Sequence, residues 1–358
     1  APVAVVEYGN AGRALPPLAG IPLKRAEGGL VIHHPRWFYP PLMNPATPWW
    51  LYRACRGPAQ RLREEFRFEL IDAHWGHPEG GAAARLAREA GVPFTVTLRG
   101  NELEHARSVA RRRALGAALR KAARVMAVSQ ELAEFAASLG VERERIRMVP
   151  NGVDARVFHP RDRAAERARL GMGDGAFHLL TAGHLIELKG HHRVIEAAAR
   201  LRAEGLDARV WIAGGAGRRG DYREQIVRTA ERTGMGPYTS LLGELAPEDL
   251  AGAMTACDVF CLASAREGWP NVVNEALACG APVAAARAGA VPEMLAEAGL
   301  GVIVDSNEPG ALAEGLRRAL ASSWDRAEIA RRGQARSWEQ TAQQVAAVWR
   351  ECLEEGRR

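Results

Sequence analysis

One pattern constrains this chain more than any other: short apolar runs alternate with stretches of helical period, and the alternation is gone through twice. In the first half the apolar runs fall at 3–7, 30–34, 70–74, 94–98, 125–128 and 146–149, with helical stretches at 49–65, 79–90, 103–121 and 130–139. Such alternation is the mark of β-α-β units, which close into parallel sheets covered by helices. Ser129 stands where its hydroxyl can cap helix 130–139. Pro150, Asn151, Gly152 and Pro160 then break the pattern, and a charged stretch from Arg161 to Arg169 leads to a new start. In the second half strands are expected at 178–181, 209–213, 239–242, 259–262, 282–285 and 301–304. Helices are expected at 191–204, 221–233, 247–256, 270–279, 291–297, 308–321, 325–333 and 338–355.

A chain of 358 residues exceeds the roughly 250–300 at which a single core stops growing. Two doubly wound α/β halves joined near residue 155 are therefore expected, with ligands beyond the carboxyl ends of the strands, in a cleft between the halves. No apolar run approaches the ~20 residues that span a bilayer, and no secretory signal opens the chain. Five scattered cysteines, with no C-x-x-C pair, point to a reducing cytoplasm. The net charge of +6 suits either contact with a polyanion or anionic membrane, or a compositional bias toward arginine. No nucleic-acid recognition motif accompanies it, so a basic nucleic-acid binder has charge alone in its favour.

The most informative segment is EGWPNVVNEALACGAPV, from Glu267 to Val283. It follows an expected strand, and Pro270 suits the first turn of a helix. Asn271 and Glu275 fall one turn apart on one face, and the amides of Asn271 and Val272 open from the helix start, where a phosphate or sugar oxygen is welcome. Glu267 precedes that start and can accept from sugar hydroxyls, or can simply favour the helix dipole. In TAGHLIELKGHH, Lys189 stands at another helix start and can meet a diphosphate or lie on the surface. His184, His191 and His192 lack metal-ligand spacing, and no D-x-D occurs to seat Mg²⁺ or Mn²⁺. Gly215, Gly217 and Gly220 match G-x-G-x-x-G, which keeps an NAD-dependent oxidoreductase open as an alternative; a tight turn explains them equally well. Cys257 and Cys261 read as buried packing thiols.

Together these residues resemble the family 4 retaining glycosyltransferases of the GT-B fold, whose E-x7-E signature the pair Glu267 and Glu275 is similar to. AHWGHPEG, PFTVTLRGNE, ARVMAVSQEL, MVPNGVDARVF, GHLIELKG, IAGGAG, LLGEL and CDVFCLAS agree in order, from about His74 to Trp338. HPEG followed by TLRG is most similar to members that build bacterial surface polysaccharides, the teichuronic-acid type among them. The resemblance implies two Rossmann-like domains facing a central cleft: 1–155 on the acceptor side, with helix 338–358 packed back on it, and 156–337 binding the donor. It implies that Glu275 holds the ribose hydroxyls and that Glu267, with Gly268, Trp269, Asn271 and Val272, meets the donor sugar. Lys189, with Gly183 and His184 beside it, would neutralise the diphosphate, and Gly243, Glu244 and Leu245 would meet the base edge. His74 and Arg99 would face the sugar or acceptor, and Asn151, Gly152 and Asp154 match the hinge.

Implied too are a UDP- or GDP-sugar as co-substrate with no metal or other cofactor, a hexose-type sugar passed to a glycan or lipid-linked hydroxyl, and no nucleic-acid partner. A nucleotide-sugar epimerase or a phosphorylase is the alternative on the same fold. Two substitutions depart from the family: His184 stands where it usually has Arg, and Arg99 where it often has His. The opening APVAVVEYGN is similar to the family's second strand, so either its first strand and Gly-rich loop are missing, with nucleotide binding kept and transfer weak or lost, or the N-terminal domain is complete but rearranged. Trp37, Phe38, Tyr39, Trp49, Trp50 and Tyr52, followed by Arg53, Arg56, Arg61 and Arg63, either rest on an anionic membrane, on its cytoplasmic face, or pack inside the domain.

Overall fold

The computed structural model describes residues 4–6, 9–10, 22–37, 46–217 and 220–356. The chain divides into two compact units, Ala1–Val149 with Gln343–Arg358, and Pro150–Ala342. Both are α/β structures whose main sheets are parallel, as the double alternation requires.

In the first unit, strands β1 (Ala4–Val6), β2 (Gly9–Asn10), β3 (Lys24–Glu27), β4 (Leu30–His33) and β5 (Arg36–Trp37) precede helix α1 (Thr47–Phe66). Strand β6 (Ile71–His74), helix α2 (Gly81–Ala90), strand β7 (Phe94–Leu98), helices α3 (Asn101–His105) and α4 (Val109–Leu119), strand β8 (Arg124–Ala127), helix α5 (Gln130–Ser138) and strand β9 (Ile146–Met148) follow. Among the described residues β6-β7-β8-β9 form a parallel sheet in chain order. Strand β7 is buried at every position, as a central strand covered on both faces must be. Ser129 caps α5, its Oγ accepting from Leu132 N at 3.4 Å.

Three features of this unit depart from expectation, the short parallel pair of β2 and β5 among them. Strand β3 was not foreseen: it pairs antiparallel with β4 through a Gly28-Gly29 turn, and all four of its residues are exposed, so no apolar alternation betrays it. The single helix expected over 103–121 is two, because Ser108 takes an extended backbone and the helical bonding restarts behind it.

The second unit runs α6 (Arg163–Leu170), β10 (Phe177–Ala182), α7 (His191–Ala203), β11 (Ala208–Ala213), α8 (Arg223–Arg232), β12 (Thr239–Gly243), α9 (Pro247–Ala256) and β13 (Val259–Leu262). Then come α10 (Asn271–Ala278), β14 (Val283–Ala286), α11 (Val291–Met294), β15 (Gly301–Val304), α12 (Pro309–Ala321) and α13 (Arg326–Gly333). Its strands form one parallel sheet in the order β12-β11-β10-β13-β14-β15. The order reverses between β10 and β13, which makes the crevice beyond their carboxyl ends the natural ligand site of a doubly wound sheet. Leu179, Leu180, Ile212 and Phe260 are fully buried on the two faces of this sheet. At about 1.5–3 kcal/mol for each such side chain, these strands anchor the unit and fix the loops at their ends. Helix α6 overlaps the charged stretch from Arg161 to Arg169, for which no helix is expected; its charges mask it, since none of its residues is buried.

Helix α14 (Trp338–Glu355) closes the chain. Its later turns belong to the first unit, where Val345 and Val348 pack with Met126 and Val149, and Arg124 and Arg147 pair with Glu351. Among the described residues no helix is long and apolar enough to cross a membrane.

Candidate functional site

The reversal of strand order places the loop after β10 beside the loop after β13. Lys189 comes from the first and Glu267 from the second, and Lys189 Nζ donates to Glu267 Oε1 at 2.6 Å. The two side chains keep only 19% and 11% of their exposure, so water screens the pair weakly and removing either partner strands the other's charge. The stem of Lys189 passes over Gly183. The loops are locked together through the main chain, with Ala265 N donating to Leu188 O at 2.9 Å. Gly190, at φ +69°, approaches so closely that a Cβ there would stand 2.3 Å from Ala263 O. Gly268 O accepts from Ala290 N at 3.1 Å, which braces the loop carrying Glu267 from its other side.

Helix α10 begins where that loop ends. Pro270 is its cap residue rather than its first helical one. Asn271 is turned toward Asn151, whose Nδ2 donates to Asn271 Oδ1 at 2.9 Å, while Asn274 Nδ2 donates to Asn151 O. Glu275, one turn on, lies in a dry setting, and burial alone pushes its carboxyl up to about 7. Val272 and Trp269 pack against the core beneath. Two polar side chains of the same loop, Ser264 Oγ and Trp269 Nε1, are buried without a hydrogen-bond partner among the described residues. Orphaned groups of this kind cost about 1–3 kcal/mol each unless a water or a ligand completes them. Ser264 was not singled out from the sequence; a hydroxyl in a loop gives no sign of its burial.

The glycine turn after β11 does not stand at the reversal, since β10 and not β11 borders it. Its glycines answer a packing need. A Cβ on Gly214 would stand 1.8 Å from Gly183 O, and one on Gly217 would stand 2.7 Å from Ile186 Cγ2. The turn therefore nests against the loop carrying Lys189, and the dinucleotide reading loses its basis. Arg218 and Arg219, within it, lie outside the described residues. Gly243, at the end of β12, accepts from Gly214 N at 2.7 Å, and the exposed Glu244 lies against Gly215 with Leu245 following.

The three histidines part company. His184 is exposed. His191 is fully buried between Thr181 Oγ1 at Nδ1 and His184 O at Nε2, and burial holds it neutral by lowering it to about 4. His192 stacks edge-on against Tyr222. Cys257 and Cys261 are buried thiols pushed up to about 12, inert as nucleophiles.

The first unit has its own cluster at the carboxyl ends of β6 and β7. Arg99 Nε donates to His74 Nδ1 at 3.0 Å, His74 Nε2 meets Asp72 Oδ2 at 3.2 Å, and Thr95 Oγ1 donates to Asp72 Oδ1 at 2.5 Å. Burial lowers the Arg99 guanidinium, and the carboxylates of Asp72 and Glu102 oppose that shift. Glu102 is fully buried. Its Oε1 accepts from Gly76 N at 3.0 Å, and its Oε2 from Gly100 N at 2.8 Å and Arg99 N at 3.2 Å. One carboxylate thus ties the turn after β6 to the turn after β7. Neither Asp72 nor Glu102 was distinguished from the sequence as a site residue, because the groups that Glu102 holds are main-chain amides.

Of the aromatic segment, Trp37 is buried with Leu51 and Cys55, and Trp50 and Tyr52 pack against that cluster. Trp49 is exposed, with the Arg53 guanidinium 5.1 Å from its ring centre. Phe38 and Tyr39 lie outside the described residues.

Comparison with known proteins identifies the family and the fold. The family of glycosyl transferases group 1 matches residues 162–336, and a glycosyl transferase 4-like domain matches residues 4–152. D-inositol 3-phosphate glycosyltransferase 1 of Catenulispora acidiphila is 30% identical over 320 residues, 84% of this chain and 76% of that protein. D-inositol 3-phosphate glycosyltransferase of Segniliparus rotundus is 34% identical over 218 residues, and that match spans 60% of this chain and about half, 48%, of the relative. These relatives are inositol-phosphate enzymes by name, not the teichuronic-acid type. Sucrose-phosphate synthase of Thermosynechococcus elongatus has a similar structure, with a TM-score of 0.80 at 20% identity over 94% of this chain and 87% of that one. Anabaena HepE in complex with UDP-glucose gives 0.73 at 24% identity, over 89% and 86%. At these identities the likeness is one of fold.

Proposed function

The chain belongs to the group 1 glycosyl transferases, with a 4-like domain ahead of the group 1 domain, and from that premise we propose that it moves a hexose-type sugar, with retention, from a UDP- or GDP-sugar to a hydroxyl of a glycan or lipid-linked acceptor. The observation that carries the reading is the Lys189–Glu267 pair at the strand reversal, one loop from the half-buried Glu275. A diphosphate offers Lys189 a second anion, and a sugar hydroxyl offers Glu267 a donor, so a nucleotide-sugar replaces the pair's mutual contact with one partner for each. The start of α10 and the orphaned Ser264 and Trp269 groups add donors for oxygen. Glu275 is suited to the ribose diol.

In this reading a donor phosphate oxygen takes the acceptor proton as the hydroxyl attacks on the leaving-group face. The protein positions the reactants and stabilises the departing diphosphate through Lys189 and the amides of α10. The Anabaena neighbour was solved with UDP-glucose, which makes that the first donor to try, and the inositol-phosphate relatives make D-inositol 3-phosphate the first alternative to a surface-polysaccharide acceptor. A cytoplasmic setting, peripheral on an anionic membrane, rests on the exposed Trp49 beside Arg53.

The test is a panel of UDP- and GDP-sugars scored by thermal stabilisation and by sugar release, followed by the anomeric configuration of the product. Retained configuration supports the reading. Inversion, or conversion of the donor to its epimer, overturns it.

A further inference from the structure

We propose that Trp75 is an aromatic platform on which the first unit takes a sugar or cyclitol ring. The inference deepens the transferase reading by naming a residue for the acceptor side, and it rests on that reading for the word acceptor.

Trp75 is the residue after β6. It is 39% exposed, and its backbone sits at φ +70°, ψ 137°, a region that a residue with a β-carbon enters at a cost. Three hydrogen bonds impose that conformation. Trp75 N donates to Thr97 O at 2.9 Å, Trp75 O accepts from Gly80 N at 3.1 Å, and the next amide, Gly76 N, is held by buried Glu102 at 3.0 Å. Glycine would sit here without strain, and an indole this exposed adds less to the core than a buried one. A large aromatic kept in a costly backbone conformation and turned to water is what a ligand-facing residue looks like.

Its neighbours define the ligand's chemistry. His74, the preceding residue, is bonded to Arg99, so hydrogen-bonding side chains and a flat apolar face occur at the same sheet edge. A sugar or cyclitol ring presents the matching pair of surfaces: a face of C–H groups for the indole and a rim of hydroxyls for polar partners. Arg99 also offers its guanidinium to any anionic substituent on such a ring.

Saturation-transfer NMR tests this on the whole chain, with methyl α-D-glucopyranoside, methyl α-D-mannopyranoside and myo-inositol as probes. UDP titration is run on each variant as a control for the second unit. At least one probe is expected to receive saturation on its ring C–H protons, to lose it at least about fivefold in Trp75→Ala and Trp75→Gly, and to keep most of it in Trp75→Phe. UDP affinity stays unchanged in all three. Trp75→Gly is expected to melt above Trp75→Ala, because only glycine relieves the backbone. Equal saturation in wild type and Trp75→Ala, or no saturation of any probe, overturns the proposal. So does loss of UDP binding in Trp75→Ala, which would make the ring a base-stacking or folding residue. If wild type fails to bind any nucleotide but still loses the sugar signal with Trp75→Ala, the platform stands and the transferase reading falls.

Discussion

At the carboxyl edge of the second unit's sheet the charged side chains hold one another, while at that edge in the first unit a buried carboxylate holds the main chain. Lys189 and Glu267 are joined by a single side-chain bond, and the proposed ligand can take over both its ends without unmaking a loop. Glu102 has three backbone amides as partners, from the turns after β6 and β7, and none can be released without loosening the edge itself. The difference separates two jobs. In the proposed function the charges of the second unit pass to a charged substrate, whereas the buried carboxylate of the first unit holds the shape of its edge.

The sharpest way to break this comparison is Glu102→Ala. Three buried amides would lose their acceptor, and we expect a loss of about 3–5 kcal/mol in denaturant unfolding. UDP affinity in the second unit should be kept wherever the protein remains folded. A cost within the ±0.5 kcal/mol of an ordinary surface change would show that the carboxylate does not organise the edge. Lys189→Ala comes next. If the lysine acts on charge developing on the leaving diphosphate, kcat should fall by about 10²–10³, the cost of one oxyanion donor, with KM moving much less. A change confined to KM would make Lys189 a ground-state contact only.

How far the sequence revealed these two edges differs in the same way. In the second unit the stretch from Val259 to Val283 announces strand, loop and helix start, and both Lys189 and Glu267 are legible as candidates. Their pairing was not, because they lie 78 residues apart and each was assigned to a ligand on its own. The glycine turn after β11 misled toward a dinucleotide, since spacing alone does not say which strand borders the reversal. In the first unit His74 and Arg99 were legible only through resemblance. Glu102 was hidden inside a five-residue helix, and the exposed β3 carried no alternation to read. Patterns of apolar residues disclose the core; they are silent about side chains whose partners are backbone groups brought from elsewhere in the chain.

The smallest expected effect is one of pH. Glu275 stands at about 7 in the folded protein, raised by burial from 4.5. A raised value means the folded state keeps a proton that the unfolded chain gives up between 4.5 and 7. The group's contribution to stability is therefore full below that window and lost as pH rises through it. In the proposed site nucleotide binding runs the other way, because ribose hydroxyls would donate to the ionised carboxylate. Affinity for UDP should rise about tenfold from pH 6 to pH 8 beyond the titration of the diphosphate itself, and Glu275→Gln should remove that excess. An identical slope in the variant would exclude Glu275 from the ribose site.

Calorimetric titration of wild type, Lys189→Ala and Glu275→Ala with UDP and with uridine reaches the central claim most directly. Glu275→Ala should weaken both ligands by about 1.5–3 kcal/mol, the range for hydrogen bonds to a charged group, since both carry the ribose. Lys189→Ala should weaken UDP and leave uridine unchanged, since only UDP carries the diphosphate. Equal losses for UDP and uridine in Lys189→Ala, or undiminished affinity for both in a folded Glu275→Ala, would contradict a nucleotide-sugar site at the strand reversal.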